Sequence, residues 1–429
     1  MEYRVRYRET HWEFKLPAGM RGRVAEPEPA EPLADLEEAV AQALAHPMGS
    51  PPLATLAKRG DRVCVVFTDV TRACPDRVLV PALLRELSRA NVREEDVTLL
   101  CGTGMHRPST HEEKAARLGS EVVNRYRVID NEPSNPNALA DLGSTSGGVP
   151  IWVHKAAAAA DLLVTTGLVE PHQYAGYSGG PKTVAIGAGG EPTIRHTHGP
   201  TFLEQSGVRL GRTEGNPFRE VLLEAAHRAR LRFVLNTVLD GDKRALRVAA
   251  GAPERVHRHL VNCARSVCEV PIPSRCDVAI GGVPWPKDAN LYQASRAASN
   301  LFFAPTPVVR EGGYLIVVAQ CPEGVGYGSG EQRFFAAMRD APDAQAVVRA
   351  ARARGYPPGQ QRAFVMAKVL EQARVIIVGS DCPEVVAACK MTPVDTVDAA
   401  LGLAAAELGS NLDVLVVPHA LLTLPVVAG

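Results

Sequence analysis

Strand-length runs of β-branched and aliphatic residues, separated by helical stretches, recur along most of this chain and limit the folds open to it. Arg62–Phe67 reads as a buried strand, Val78–Ala90 as an amphipathic helix and Val97–Cys101 as a second strand. Asp161–Thr165, helix Pro217–Ala229 and strand Arg232–Val238 continue the series. Strands alternating with helices imply an α/β fold with largely parallel sheets, because parallel neighbours need a crossover between them. Val270–Arg275 then reads as a linker, after which the pattern restarts with strand Asp277–Gly281 and helix Asn290–Ala304. Strand Tyr314–Val318, helix Arg362–Gln372, strand Val375–Val378, helix Val397–Leu408 and strand Asp413–Val417 complete it. At 429 residues a chain is too long for one ordinary core. We expect two α/β domains, 1–270 and 275–429, with a cleft between them and the segment 405–429 packing back on the first.

Composition removes several classes of function. Lys and Arg balance Asp and Glu at 47 each, and no basic block suggests nucleic acid or an anionic membrane as partner. No apolar run approaches the ~20 residues of a membrane span, and the first residues lack the apolar core of a signal peptide. The nine cysteines are scattered without a C-x-x-C pair, which fits reduced thiols in the cytoplasm rather than zinc or a disulfide framework.

In parallel sheets ligands gather at the carboxyl ends of the strands, and the polar clusters fall there. Thr68-Asp69-Val70-Thr71-Arg72 follows the first buried strand and Gly102-Thr103-Gly104-Met105-His106-Arg107 the second. Arg72 has the planar fork that grips a carboxylate. The densest segment runs from Gly167 to Pro200. Its Gly176-Tyr177-Ser178-Gly179-Gly180-Pro181-Lys182-Thr183 is close to a phosphate-binding loop, but Pro181 stands where that motif needs a glycine N–H. A nucleoside triphosphatase is therefore disfavoured. So is a nicotinamide-dependent dehydrogenase, because Thr68–Arg72 contains no glycine. Three histidines flank the loop: His172 ten residues before Lys182, His196 and His198 fourteen and sixteen after. Imidazole is both a common metal ligand and the natural base near neutral pH.

Asp69-x-x-Arg72, Gly104-x-His106-Arg107, His172-x9-Lys182 and Lys182-x15-His198, in this order, closely resemble the nickel-pincer-nucleotide lactate racemase family. The likeness runs from Trp12 to about Val417 and includes Pro286-Lys287-Asp288-Ala289-Asn290-Leu291-Tyr292-Gln293. It implies a racemase or epimerase that inverts the C2 centre of a 2-hydroxy acid by hydride transfer. The hydride acceptor would be a pyridinium-3,5-bisthiocarboxylic acid mononucleotide carrying nickel, loaded by cofactor-synthesis proteins. By the same resemblance Lys182 would anchor that cofactor covalently and His198 would ligate nickel. His106 and His172 would be the two acid–base groups, both titrating near neutral pH. Arg72 would hold the substrate carboxylate, with Asp69 orienting it. Gly176, Tyr177, Ser178, Gly179 and Gly180 are our choice for contacts to the cofactor phosphate. Tyr292, Gln293, Arg296, Gln361 and Arg362 would line the substrate. Arg296 stands where lactate-specific members carry Lys, and the polar run Gly359–Arg362 where they carry Trp. These departures point to a substrate larger or more polar than lactate, either an aldonic acid or a malate-like dicarboxylate. A homologue that binds cofactor or metal without catalysis is the alternative.

Overall fold

The computed structural model describes residues 2–428. Two mixed sheets carry the molecule. The first has six strands in the order Ala245–Gly251, Leu231–Leu239, Leu162–Leu168, Val63–Thr68, Val97–Gly102, Arg127–Asp130. All its pairings are parallel except the edge hairpin formed by Ala245–Gly251. Central strand Val63–Thr68 is buried along its whole length, which is why it reads as a continuous apolar run without alternation. Val63, Val65 and Phe67 face helix Asp76–Arg89, whereas Cys64 and Val66 face the layer containing Phe218 and Val256.

The second sheet has eight strands, with Cys276–Pro284 at its centre between Val309–Val318 and Asp413–Val417. The structure revises the expected domain 1–270 at its start. Glu2–Arg8 and Thr10–Lys15 form a hairpin on the end of Cys276–Pro284, and Arg21–Val24 pairs with Asp413–Val417. The three strands between residues 2 and 24 thus belong to the second sheet. Of the segment 405–429, Asp413–Val417 also lies there, while Leu424–Val427 pairs with Glu269–Ile272, a short strand within the stretch expected to be a linker. Such partners are remote in sequence, and alternation in one strand cannot name the strand it joins.

A continuous apolar layer joins the two sheets, running from Val66 and Phe218 to Leu301 and Phe364. The expected single helix Asn290–Ala304 is two short helices, Leu291–Ala294 and Arg296–Phe302, meeting at Ser295. Asn290 caps the first by accepting a hydrogen bond from the Gln293 N–H. The break turns Arg296 into the first residue of the second helix. No helix among the described residues is long and apolar enough to cross a membrane.

Candidate active site

Three adjacent parallel strands, Val63–Thr68, Val97–Gly102 and Leu162–Leu168, deliver Asp69–Arg72, His106 and Glu170–His172 from their carboxyl ends. A fully buried carboxylate fastens the first and third of these strands together. Asp76 accepts hydrogen bonds of 2.5 Å from both Thr68 Oγ1 and Thr166 Oγ1, and Arg117 Nη1 lies 3.3 Å away. Arg117 also donates to the carbonyls of Arg72 and Cys74, at 2.5 and 2.7 Å, fixing the loop that carries Arg72. Asp76 was not singled out in the sequence. Its only signal there is an acidic residue placed just before an apolar helix face.

His106 Nδ1 is 2.6 Å from Asp69 Oδ2. Asp69 is 5% exposed whereas the His106 side chain is 54% exposed, so the pair is anchored inside and open outside. Burial works against the Asp69 charge, but hydrogen bonds from His106 and Thr71 prevail and hold its pKa below the ordinary value. With an ionised acceptor on Nδ1, the proton of neutral His106 sits there and Nε2 keeps its lone pair. The expected pairing of Asp69 with Arg72 is not found. Arg72 Nη1 donates to Glu170 Oε1 at 3.0 Å instead, because the third strand end brings Glu170 to it. Glu170 was missed for that reason. Arg107 points away, to Glu113.

His172 has the opposite arrangement from His106. Its Nδ1 accepts hydrogen bonds from the backbone N–H groups of Tyr174 and Ala175, at 3.3 and 3.2 Å, which puts the proton of the neutral ring on Nε2. Burial first, then the charges of Lys182 and Arg72, push its pKa well below 6.5, in contrast to the near-neutral titration expected. Tyr174 stands between the rings of His172 and His198, edge-on to both at 5.8 and 5.4 Å. Asn216, which also caps helix Pro217–Arg228, fixes it by donating to the Tyr174 carbonyl.

His198 Nδ1 lies 3.0 Å from the Ile194 carbonyl, so that nitrogen carries the proton and Nε2 is left with a free lone pair. Burial and Lys182 lower its pKa to about 4. Tyr356, from the second half of the chain, donates to the His198 carbonyl at 2.8 Å. Lys182 lies directly before the π-helical turn Thr183–Gly187. Burial and Arg72 bring its amine down to about 7, against the opposing pull of Glu170 and Asp69.

The loop before Lys182 is packed rather than open, which corrects the expected phosphate cradle. Tyr177 is fully buried and donates to Glu269 at 2.8 Å. Ser178 donates to the Leu168 carbonyl at 2.6 Å and accepts from the Glu170 N–H at 3.1 Å. A Cβ on Gly176, at φ +74°, would stand 2.1 Å from the Arg212 carbonyl oxygen, and one on Gly179 would stand 2.8 Å from Val169. Gly180 likewise faces His257. These glycines allow close approach of protein to protein, and the loop's side chains position Glu170 and Lys182.

The second half of the chain contributes a basic wall. Arg296 and Arg362 lie over the ring of Tyr292, at 6.0 and 5.8 Å from its centroid. Arg296 is near enough to Arg72 and His172 for their charges to act on one another, which brings it to the same cleft as His172. Lys287, part of the family-like segment but given no role there, joins them: burial, Arg296 and Arg72 depress its amine. Gln293 has a buried Oε1 without a hydrogen-bond partner. Gln361 turns back to accept from the Gly359 N–H at 2.7 Å, so its oxygen is engaged within its own turn.

Comparison with known proteins identifies the family and the fold. Residues 7–211 match the lactate racemase N-terminal domain and residues 273–424 the lactate racemase C-terminal domain. The chain is 32% identical to a lactate racemase of Lactiplantibacillus plantarum, over 90% of each protein. It is 30% identical to that of Thermoanaerobacterium thermosaccharolyticum, over 89% of this chain and 88% of the relative. The structure of the lactate racemase apoprotein from the latter organism superposes over the full length of both chains, with a TM-score of 0.88 and 28% identity. A Thermotoga maritima protein at 18% identity and TM-score 0.65 shares the fold, over 91% of this chain and 97% of that one. The chain belongs to the lactate racemase family.

Proposed function

We propose that this protein is an isomerase that inverts C2 of a 2-hydroxy acid, working with a nickel-pincer nucleotide attached at Lys182. One arrangement carries the reading: a largely desolvated amine lies near enough to His198 for its charge to act on that ring, whose Nδ1 is held by the Ile194 carbonyl and whose Nε2 is unengaged. An amine that is neutral part of the time near pH 7 is suited to acylation, and a neutral imidazole to ligating a transition metal. Among the described residues no three His, Cys, Asp or Glu side chains gather as a metal cage, so a metal on His198 needs its other donors from a bound group. Lys182 and His198 therefore fit the anchor and ligand that such a cofactor requires. When bound, the cofactor supplies a hydride acceptor, which no side chain can.

The protein's own groups then handle charge and protons. Arg72, steadied by Glu170, holds the substrate carboxylate so that the flat keto acid stays in place between half-reactions. His106 Nε2 accepts the hydroxyl proton, with Asp69 stabilising the imidazolium that results. His172 would serve the other face through Nε2 once its Nδ1 gives up the backbone contacts to Tyr174 and Ala175 and takes the ring proton, so that Nε2 returns a proton from the imidazolium or accepts one as the neutral ring. Each enantiomer uses them in the opposite order, so solvent must reset both rings between turnovers. Acylating Lys182 would remove its positive charge and raise the depressed His172 pKa toward the working range. The nine free thiols accord with a cytoplasmic setting. Arg296 and Arg362 favour a substrate larger or more polar than lactate, of aldonic or malate-like type.

The test is to produce the protein alongside cofactor-synthesis proteins and measure intact mass, nickel content and inversion of enantiopure 2-hydroxy acids. A covalent adduct mapped to Lys182 and about one nickel per chain are expected, since His198 offers a single metal bond. Active enzyme with an unmodified mass would reject the assignment.

A further inference from the structure

A substrate held by one carboxylate needs one guanidinium, and Arg72 already stands in that position. Arg296 and Arg362 are additional. Arg362 is 5% exposed, and its one side-chain hydrogen bond goes to a neutral partner, Ser299 Oγ, at 2.8 Å. The Nε atoms of both arginines are buried without a hydrogen-bond partner. Among the described residues neither guanidinium forms an ion pair, whereas Arg72 has Glu170. Burial and the charge of Arg362 lower the pKa of Arg296. Two like charges are thus held over one tyrosine ring with donors left over, an arrangement that costs stability unless an anion completes it.

Building on the racemase reading above, we propose that Arg296 and Arg362 form a second carboxylate subsite and that the substrate is a short 2-hydroxy dicarboxylate. Its C1 carboxylate sits on Arg72, its distal carboxylate between Arg296 and Arg362. Lys287 adds positive potential along the same wall. A guanidinium only donates, so the pair suits an acceptor with two oxygens in one plane. An aldonic acid would present neutral hydroxyls there and leave both charges uncompensated. Gln293 Oε1, buried without a partner among the described residues, could accept from one hydroxyl but cannot compensate two guanidinium charges.

The same chemistry could serve the phosphate of a bound nucleotide, and the experiment separates the two. Holoenzyme is assayed with enantiopure malate, lactate and gluconate, and the wild-type protein is titrated calorimetrically with succinate as an unreactive dicarboxylate. Malate should give the highest kcat/KM, and succinate should bind more tightly than propionate. Arg362→Met should cut the malate-to-lactate ratio of kcat/KM by about 10- to 100-fold while leaving nickel and adduct per chain unchanged. Should Arg362→Met fail to fold, Arg362→Lys keeps the charge and loses the fork, and it should still lower that ratio by several-fold. Loss of nickel and adduct from a folded Arg362 variant would assign the pair to the cofactor and overturn the proposal. Inversion with lactate or gluconate preferred would overturn it too, leaving the racemase reading intact. No inversion of any 2-hydroxy acid by nickel-loaded protein would instead defeat that reading, and succinate binding, lost in Arg362→Met, would then decide the subsite alone.

Discussion

Asp69 and His106 share a 2.6 Å hydrogen bond in which the carboxylate is buried and the imidazole faces the solvent-open cleft. The carboxylate keeps the ring proton on Nδ1 and so leaves Nε2 able to accept one. In Asp69→Asn the amide can donate to Nδ1 and move the proton to the working nitrogen. We expect kcat to fall by ~10²–10⁴-fold, with an unchanged circular dichroism spectrum. Wild-type turnover in that variant would remove His106 Nε2 from the mechanism.

The same bond has a pH signature. The folded pKa of Asp69 lies below its unfolded value of ~3.9. Its stabilising contribution is therefore complete above that value and declines as pH falls toward the lower folded pKa. Denaturation midpoints of Asp69→Asn and wild type should converge as the buffer is taken below about pH 4. A gap that stays constant with pH would contradict the sign of the shift.

Glu170 reaches Arg72 from a neighbouring strand end, and both side chains are about one-third exposed, 34% each. A pair so open to solvent contributes little to stability, ~0–1 kcal/mol. Its removal should instead loosen the carboxylate grip. Glu170→Gln is expected to raise KM several-fold with a melting temperature within a degree or two of wild type, an order-of-magnitude expectation. A large drop in melting temperature at unchanged KM would make Glu170 a structural residue.

Lys182 lies close enough to depress both His172 and His198. A neutral side chain at 182 removes that repulsion, so the pKa of His172 should move upward in Lys182→Met, as followed by ring-proton NMR of the cofactor-free protein. The shift must be upward, because a cation disfavours the protonated imidazole. A downward or absent shift would show that burial alone sets the value.

Phe218 is fully buried and packs near the rings of His172 and His198, at 6.5 and 5.3 Å. Phe218→Ala should cost ~3–5 kcal/mol in a urea unfolding series. The smaller change Tyr356→Phe removes one hydrogen bond to the His198 carbonyl and should cost ~0.5–1.5 kcal/mol. Equal losses in the two variants would mean that the aromatic packing under the histidines does not collapse as a cavity.

Much of this molecule is legible in its residues. The buried run Val63–Thr68 is recognisable as a strand because both of its faces must be apolar, and the helices between such runs require parallel pairing. The constellations at Asp69–Arg72, His106 and His172 follow strand ends, where local order puts them on one edge of the sheet, whereas Lys182 precedes a π-helical turn and His198 ends a helix. Tertiary structure decided the pairings among them. Glu170, not Asp69, meets Arg72, because the relevant neighbours are ends of strands 98 residues apart in sequence. The glycines of 176–180 look like a ligand cradle in sequence, yet Arg212 and Val169 occupy the space where one would open. Glu2–Lys15 joins a sheet whose central strand, Cys276–Pro284, begins about 260 residues later, since a strand's alternation states which face is buried and leaves its partner unspecified. Short-range steric and hydrophobic patterns are written along the chain. Hydrogen-bond partners, desolvation and the field of neighbouring charges exist only once remote segments have been brought together.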